Sequence, residues 1–242
     1  KRAEEEELER EAQQRRAKGG REWQETPAAI AGTPSEAYLQ SRGIDWRALG
    51  RAPGAGRFAP AGWCQEVHRP VPAMLGASCS PSGKLVAVHR TWLAQSPSGV
   101  WGKADLKNPK KVLGSFAGGC IRLWRGASGL ALGMARENEM AIVAEGIETA
   151  LSCAIACPEH RVLAAVSLSN MASLKLPDTI TEILVAADND TGNPSARKAL
   201  DAALSQFAQQ GRTVRHAMPK IQGQDWNNVL THQDEHKGPE RA

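Results

Sequence analysis

The spacing of apolar positions changes at about residue 140. Downstream of Met140, short runs at Ala141 to Ala144, Val162 to Val166, Ile183 to Ala187 and Thr213 to Ala217 read as strands. Four or five apolar or β-branched residues bounded by turn formers are what a strand buried within a sheet requires. Helical stripes lie between some of them. Ile147, Ala150, Leu151, Ala154 and Ile155 recur at three- and four-residue spacing, and so do Ala196, Leu200, Ala203, Leu204 and Phe207. The second stripe carries its own punctuation, with Asn193 as cap, Pro194 as first helical residue and Gly211 as stop. Strands alternating with helices predict an α/β unit built on a mostly parallel sheet with helices on both faces.

Upstream the pattern differs. Thr33-Pro34-Ser35-Glu36 is a capping box with proline at the first helical position, so a short helix is expected from Pro34 to Arg42, stopped by Gly43. Gly, Pro and Trp between Gly50 and Arg69 imply irregular structure. Val71 to Ser78 and Lys84 to Leu93 are β-rich runs on either side of the turn cluster Ser80-Pro81-Ser82-Gly83, which predicts an antiparallel hairpin. Ala94 to Lys111 reads as a polar, basic loop. Lys1 to Arg21 is a charge run in which Glu6 and Glu11 each precede an arginine by four residues, the pattern of a solvated helix or linker. Lys1 stands where a Met would open a chain, which points to a further segment upstream. The expected organisation is a charged helix or linker over 1–25, a smaller basic α+β subdomain with the hairpin over 26–135, an α/β domain over 136–235, and a tail over 236–242.

The chain has 242 residues, 41% of them hydrophobic, enough to bury a core. No run of about 18 apolar residues offers a membrane span, and the charged amino terminus is unlike a secretory signal, so a cytoplasmic protein with no membrane partner is expected. Cys64, Cys79, Cys120, Cys153 and Cys157 form no CxxC pair, and only the last two share a helical face; buried free thiols are expected, not a zinc site. Charge is unevenly placed. Gly43 to Arg125 holds twelve Lys or Arg against three acids, whereas Glu139 to Asp190 holds eight acids against Arg161 and Lys175. A basic half suits a polyanion and an acidic half suits a cation.

Ligands of parallel sheets sit at the carboxyl ends of the strands. That rule singles out Glu145-Gly146, just past the first strand of the α/β unit, and Asp188-Asn189-Asp190, just past the third. Three carboxylates at one edge repel unless a cation neutralises them, and hard oxygen donors suit magnesium. The same spacing also fits Asp188 and Asp190 merely ending a strand and capping a helix.

Ala144-Glu145-Gly146, with Asp188-Asn189-Asp190 two strands later, resembles the Toprim pattern shared by bacterial primases and topoisomerases, over about the last hundred residues. Gly223-Gln224-Asp225-Trp226-Asn227-Asn228-Val229-Leu230 resembles the Gly-Lys-Asp segment that follows it in primases. Gly83 to Leu93, with Asn108-Pro109-Lys110-Lys111-Val112-Leu113-Gly114, resembles the part of the primase core that precedes its Toprim fold. Glu145 to Ser152 is worded like Toprim proteins of plasmids, phages and integrated elements. The resemblance implies a Rossmann-like Toprim fold in which Glu145, Asp188 and Asp190 are catalytic and bind Mg2+ (or Mn2+), with Asp225 as an outer acid. It also implies that Arg90, Lys110 and Lys111 hold nucleotide or template phosphates. The activity implied is primase-type nucleotidyl transfer: short RNA made from ribonucleoside triphosphates on single-stranded DNA, for replication or transfer of a mobile element. A 3′-hydroxyl attacks an α-phosphate in line, and no nucleophilic side chain is needed. An upstream zinc ribbon, a relaxase or a helicase is the implied partner module.

Three positions depart from the pattern. Thr149 stands where cellular primases carry an acid, though Glu148 is adjacent; Asn227 replaces a second acid; Thr191 replaces a basic residue. These departures keep two alternatives open, a Toprim nuclease and a catalytically silent nucleic-acid-binding module. A topoisomerase needs a tyrosine for its covalent link, and the one tyrosine, Tyr38, lies in the short capped helix. His68 and His89 are expected to be structural. Of the tryptophans, only Trp92 and Trp101 lie where a base could stack on them.

Overall fold

The computed structural model describes residues 2–27, 29–190 and 192–231; Thr191, the end of the 136–235 span and the 236–242 tail lie outside them. The amino-terminal half opens with α1 (Arg2–Glu25), exposed over residues 4–11 and 13–18 and carrying charge pairs such as Glu11–Arg15 at 3.1 Å. Its last turns are not a free linker. They pack on the sheet, where Gly19 lies so close to the Leu113 carbonyl that a Cβ would sit 2.8 Å from it. The helix α2 (Pro34–Ser41) follows. The expected capping box is not made: Glu36 accepts the N–H of Gly32, one residue before the cap, at 2.7 Å, and both the N–H and the hydroxyl of Thr33 donate to the Ile30 carbonyl.

Between Gly50 and Arg69 the chain is not irregular but forms β1 (Gly56–Cys64), paired antiparallel with β2 (Arg69–Cys79). The register shifts between Ala59 and Gly62, so Pro60 falls in a bulge where no ladder hydrogen bond is lost. β2 and β3 (Leu85–Gln95) make the expected hairpin, with Gly83 at φ +86° in its turn. The Ala94 to Lys111 segment is likewise more than a loop. It contains β4 (Trp101–Lys103) and the start of β5 (Lys110–Gly114), both pairing with β3. A further strand, β6 (Cys120–Arg125), precedes the carboxyl-terminal half.

That half consists of β7 (Glu139–Ala144), α3 (Ile147–Ala156), β8 (Arg161–Ala164), the single turn α4 (Leu168–Met171), β9 (Ile180–Ala186), α5 (Pro194–Gln209), β10 (Thr213–Ala217) and α6 (Trp226–Thr231). Strands β10, β9, β7 and β8 are neighbours in that order and all parallel. The chain leaves β7 through α3 to β8 on one side and returns to β9 on the other. This reversal opens a crevice at the carboxyl ends of β7 and β9. The predicted helical stripes face the sheet: Ile147, Ala150, Leu151 and Ala154 are buried on one side, and Leu200, Ala203 and Phe207 on the other. Burying an Ile or Leu in this way contributes about 2 kcal/mol each.

A continuous sheet joins the halves. β6 pairs antiparallel with β8 and meets β2 through just Ser78↔Ile121 and Cys79↔Cys120. On one face, α2 packs beside α3, so that Tyr38, Leu39 and Ile44 share a core cluster with Ile147 and Leu151. Gly76 lets α3 come close to β2, since a Cβ there would meet both Ile121 and Ile147 at 2.9 Å. On the other face, α1 covers a separate cluster that includes Trp92 and Leu75. Among the described residues no helix is long and apolar enough to cross a membrane.

Asn170 in α4 reinforces the narrow seam. Its side chain accepts from the Gly118 N–H at 2.9 Å and donates to the carbonyls of Gly119 (2.9 Å) and Ala165 (2.7 Å), bracing the approach to β6 against the end of β8. Asn170→Ala strands buried backbone groups at about 1–3 kcal/mol each. It is expected to lower the stability measured in urea by roughly 3 kcal/mol; an unchanged denaturation midpoint would contradict this bracing role.

Candidate active site

Each carboxylate picked out in the sequence reaches the crevice by a definite route. Glu145 directly follows β7 and precedes Gly146, the N-cap of α3. Asp188-Asn189-Asp190 follows β9 and is gripped by the 219–224 loop: the Asn189 N–H donates to the Gln224 carbonyl, Gly223 N–H to the Asn189 carbonyl, and Asn189 Nδ2 to the Pro219 carbonyl, all at 2.8 Å. The same loop delivers Asp225. One oxygen of Asp225 caps α6 by accepting the Asn228 N–H at 2.8 Å, and the other lies 3.6 Å from Arg42. Asn227 is fully buried, and its amide donates to the Arg42 carbonyl at 2.7 Å, so it anchors α6 and presents nothing to the crevice.

The carboxylates of Glu145, Asp188, Asp190 and Asp225, the acidic wall, line a cleft of about 290 Å³ together with Lys103, Lys110 and Arg42 of the amino-terminal half, the basic wall, and with His89. Burial pushes the Asp188 carboxyl up to about 7, reinforced by the charges of Asp225, Glu145 and Asp190, against a hydrogen bond from the Thr149 hydroxyl at 3.2 Å. Glu145 is also raised, by burial and by Asp190, against the Leu168 N–H and Lys110. Thr149, standing where an acid was expected, therefore steadies Asp188 with a neutral donor. Val166, a β-branched residue at φ +76°, borders the cleft and donates its N–H to the Glu145 carbonyl at 2.9 Å. Backbone strain of this kind, about 1–3 kcal/mol, gathers at functional sites.

Glu148 does not stand in for the missing acid. Its carboxylate turns to the basic wall, accepting from the Tyr38 hydroxyl at 2.6 Å and from Lys110 Nζ at 3.0 Å, with Lys103 Nζ at 3.6 Å. Burial works against its charge, but Lys110, Lys103 and the Tyr38 hydrogen bond outweigh it and hold the carboxyl far below the usual range. His89 is buried and pushed down to about 4 by desolvation and by Lys110, so it is neutral near pH 7.

Arg90 and Lys111 are not brought to this cleft. They are cross-strand partners on β3 and β5, on the opposite sheet face from His89 and Lys110, because successive strand residues point to opposite sides. Arg90 lies there over the Trp92 ring, 4.0 Å from Glu22 of α1. Trp92 is 1% exposed and offers no stacking surface. Lys103, Arg42 and Tyr38 were missed as site residues. A three-residue strand leaves no periodic signal, and the α2 pair faces the site only through tertiary packing.

The donor set is all oxygen and mutually repelling, which fits a hard divalent cation. Among the described residues, however, no three His, Cys, Asp or Glu side chains converge into a ready-made ligand group.

Residues 140–235 match the family model of the Toprim domain. This part of the chain is a Toprim domain. Residues 13–123 match a second model, a domain of unknown function (DUF7146). No curated protein matches the chain. Among solved structures, the chain is similar to the E. coli primase catalytic core, with TM-score 0.55, 15% identity, and 91% of this chain and 75% of that one covered. It is also similar to the primase fragment of the bacteriophage T7 primase-helicase protein, with TM-score 0.51, 16% identity, and 82% of this chain and 70% of that one covered. A DnaG primase catalytic domain bound to single-stranded DNA matches with TM-score 0.54 at 16% identity, covering 92% of this chain and 76% of that one. Identities this low establish a shared fold: a Toprim domain preceded by an antiparallel part.

The raised Asp188 carboxyl has a consequence for stability. Its unfolded value is about 3.9, so the folded state binds more protons between about pH 4 and 7 and loses stability as pH rises through that window. In chelator, the thermal midpoint of the wild type is expected to fall between pH 5 and 8 by more than that of Asp188→Asn. Parallel pH profiles would show that Asp188 is not under this electrostatic stress.

Proposed function

We propose that the cleft performs metal-dependent nucleotidyl transfer, joining ribonucleoside triphosphates into short RNA on single-stranded DNA, as a cytoplasmic primase of a mobile element. What supports this is the opposition of Glu145, Asp188 and Asp190 to Lys103 and Lys110 across one cleft, on a fold like that of primase catalytic cores. In this reading residues 26–135 contribute the phosphate-binding wall and residues 136–235 the carboxylates.

Glu145, Asp188 and Asp190 are the residues that would hold Mg2+ or Mn2+, with Asp225 further out because one of its oxygens caps α6. A bound divalent cation would neutralise charge on the attacking and leaving oxygens. The protein's part is positioning. Lys103 and Lys110 hold phosphate oxygens against the acidic wall, Thr149 keeps Asp188 oriented, and the gripped 188–190 loop keeps the acids from swinging apart. Lys111, exposed on the far face, would serve a template strand beyond the cleft, with Arg90 beside it held against Glu22 and Trp92. A helicase, zinc-ribbon or relaxase module would act together with it; the bacteriophage T7 relative is a primase-helicase protein.

One observation favours a second reading, a catalytically silent nucleic-acid-binding module: the acids are not gathered into a ligand group among the described residues. Incorporation of labelled ribonucleotides on single-stranded DNA with Mg2+ or Mn2+ separates the two. Short products are expected from the wild type and a loss of about 100-fold or more in Asp188→Ala. DNA binding without synthesis would overturn primer synthesis and leave the silent module, and cleavage of the DNA would indicate a Toprim nuclease.

A further inference from the structure

Glu148 carries a charge that the acidic wall does not use. It lies in the first turn of α3, is 5% exposed, and both its oxygens are engaged. Its partners come from three separate segments of the amino-terminal half: Tyr38 from α2, Lys103 from β4 and Lys110 from β5. The two lysines are about one-third exposed, at 37% and 35%, and end on flexible stems. Left alone, two ammonium groups this close repel, and each stem swings its charge out to water.

The surroundings leave Glu148 as the anion that holds them. On the same side of the cleft, His89 is neutral near pH 7 and Arg42 faces Asp225. Glu145 feels the charge of Lys110 through space, but Glu148 is the carboxylate in contact with both lysines. A single carboxylate cannot neutralise two ammonium groups, so the trio keeps a net positive charge toward the cleft. The start of α3 is also where the helix dipole favours an anion.

We infer that Glu148 is a positioning residue, which holds Lys103 and Lys110 as a two-lysine clamp for phosphate groups, and that Tyr38 fixes its carboxylate in that role. This rests on the nucleotidyl-transfer reading of the cleft. The clamp spans the two halves, with its lysines on the antiparallel part and its counter-ion on the Toprim helix. Its geometry therefore depends on their packing.

Calorimetric titration of the full chain with pyrophosphate in saturating Mg2+ tests it. Lys103→Met and Lys110→Met are each expected to weaken binding about tenfold, and Glu148→Gln to weaken it by a similar factor. The sign for Glu148→Gln is diagnostic: removing a negative charge beside an anion site strengthens binding on Coulomb grounds alone, so weakening identifies positioning. Tyr38→Phe keeps every charge and is expected to cost about threefold; it decides the matter if Glu148→Gln does not fold, as read by circular dichroism. Unchanged or tighter binding in folded Glu148→Gln or Tyr38→Phe, with the lysine variants weakened, overturns the positioning role and leaves nucleotidyl transfer standing. A wild type that does not bind pyrophosphate overturns the clamp and the reading it rests on.

Discussion

Carboxylates crowded at one edge of a sheet cannot relax away from each other when the backbone holds them there, and that repulsion organises the rest of this molecule. The crossing from β7 to β8 and back to β9 sets Glu145 and Asp188 at the mouth of one crevice. Burial and neighbouring charge then push Asp188 up to about 7. Compensating charge comes from the other half of the chain. Lysines on β4 and β5 face the acids because β3, β2 and β6 continue the Toprim sheet sideways and fix where those strands lie. The cleft is thus a product of sheet continuity, and the narrow β2–β6 seam is its mechanical weak point.

Two of the residues that depart from the primase pattern, Thr149 and Asn227, have structural work in this chain. Thr149 gives up a charge and gains a hydrogen bond to Asp188. Asn227, with no exposed surface, ties α6 to the Arg42 backbone. Asp225 divides its oxygens between capping α6 and facing Arg42. The two exchanges lower the negative charge in the cleft and Asp225 commits part of its own to the fold, so the cation binding proposed here would rest chiefly on Glu145, Asp188 and Asp190. Glu148 turns instead to Tyr38 and to the two lysines of the other half.

Much of this was legible in the sequence, for identifiable reasons. β7, β9 and α5 carry strong periodic or capping signals, and the acids follow strand ends where ligands of parallel sheets are expected. β1 was hidden because Pro60 and Gly62 read as loop formers when they are in fact a bulge. β4 has three residues and β6 alternates only briefly, as Cys120-Ile121-Arg122-Leu123-Trp124-Arg125. With Lys110 and Lys111 read as the end of a loop, alternation could not separate Lys110, which faces the cleft, from Lys111, which does not. Glu148 and Tyr38 are 110 residues apart, a contact no local pattern encodes.

The dependence of the site on a cation is most directly measured by thermal unfolding of metal-free protein as Mn2+ is added, for the wild type, Asp188→Asn and Glu145→Gln. A ligand held by these carboxylates stabilises the folded state in proportion to its occupancy. The wild-type midpoint should rise and saturate with Mn2+, and both variants should lose most of that rise. Equal stabilisation of all three proteins, or none in the wild type, would mean that the acidic wall is not a metal site.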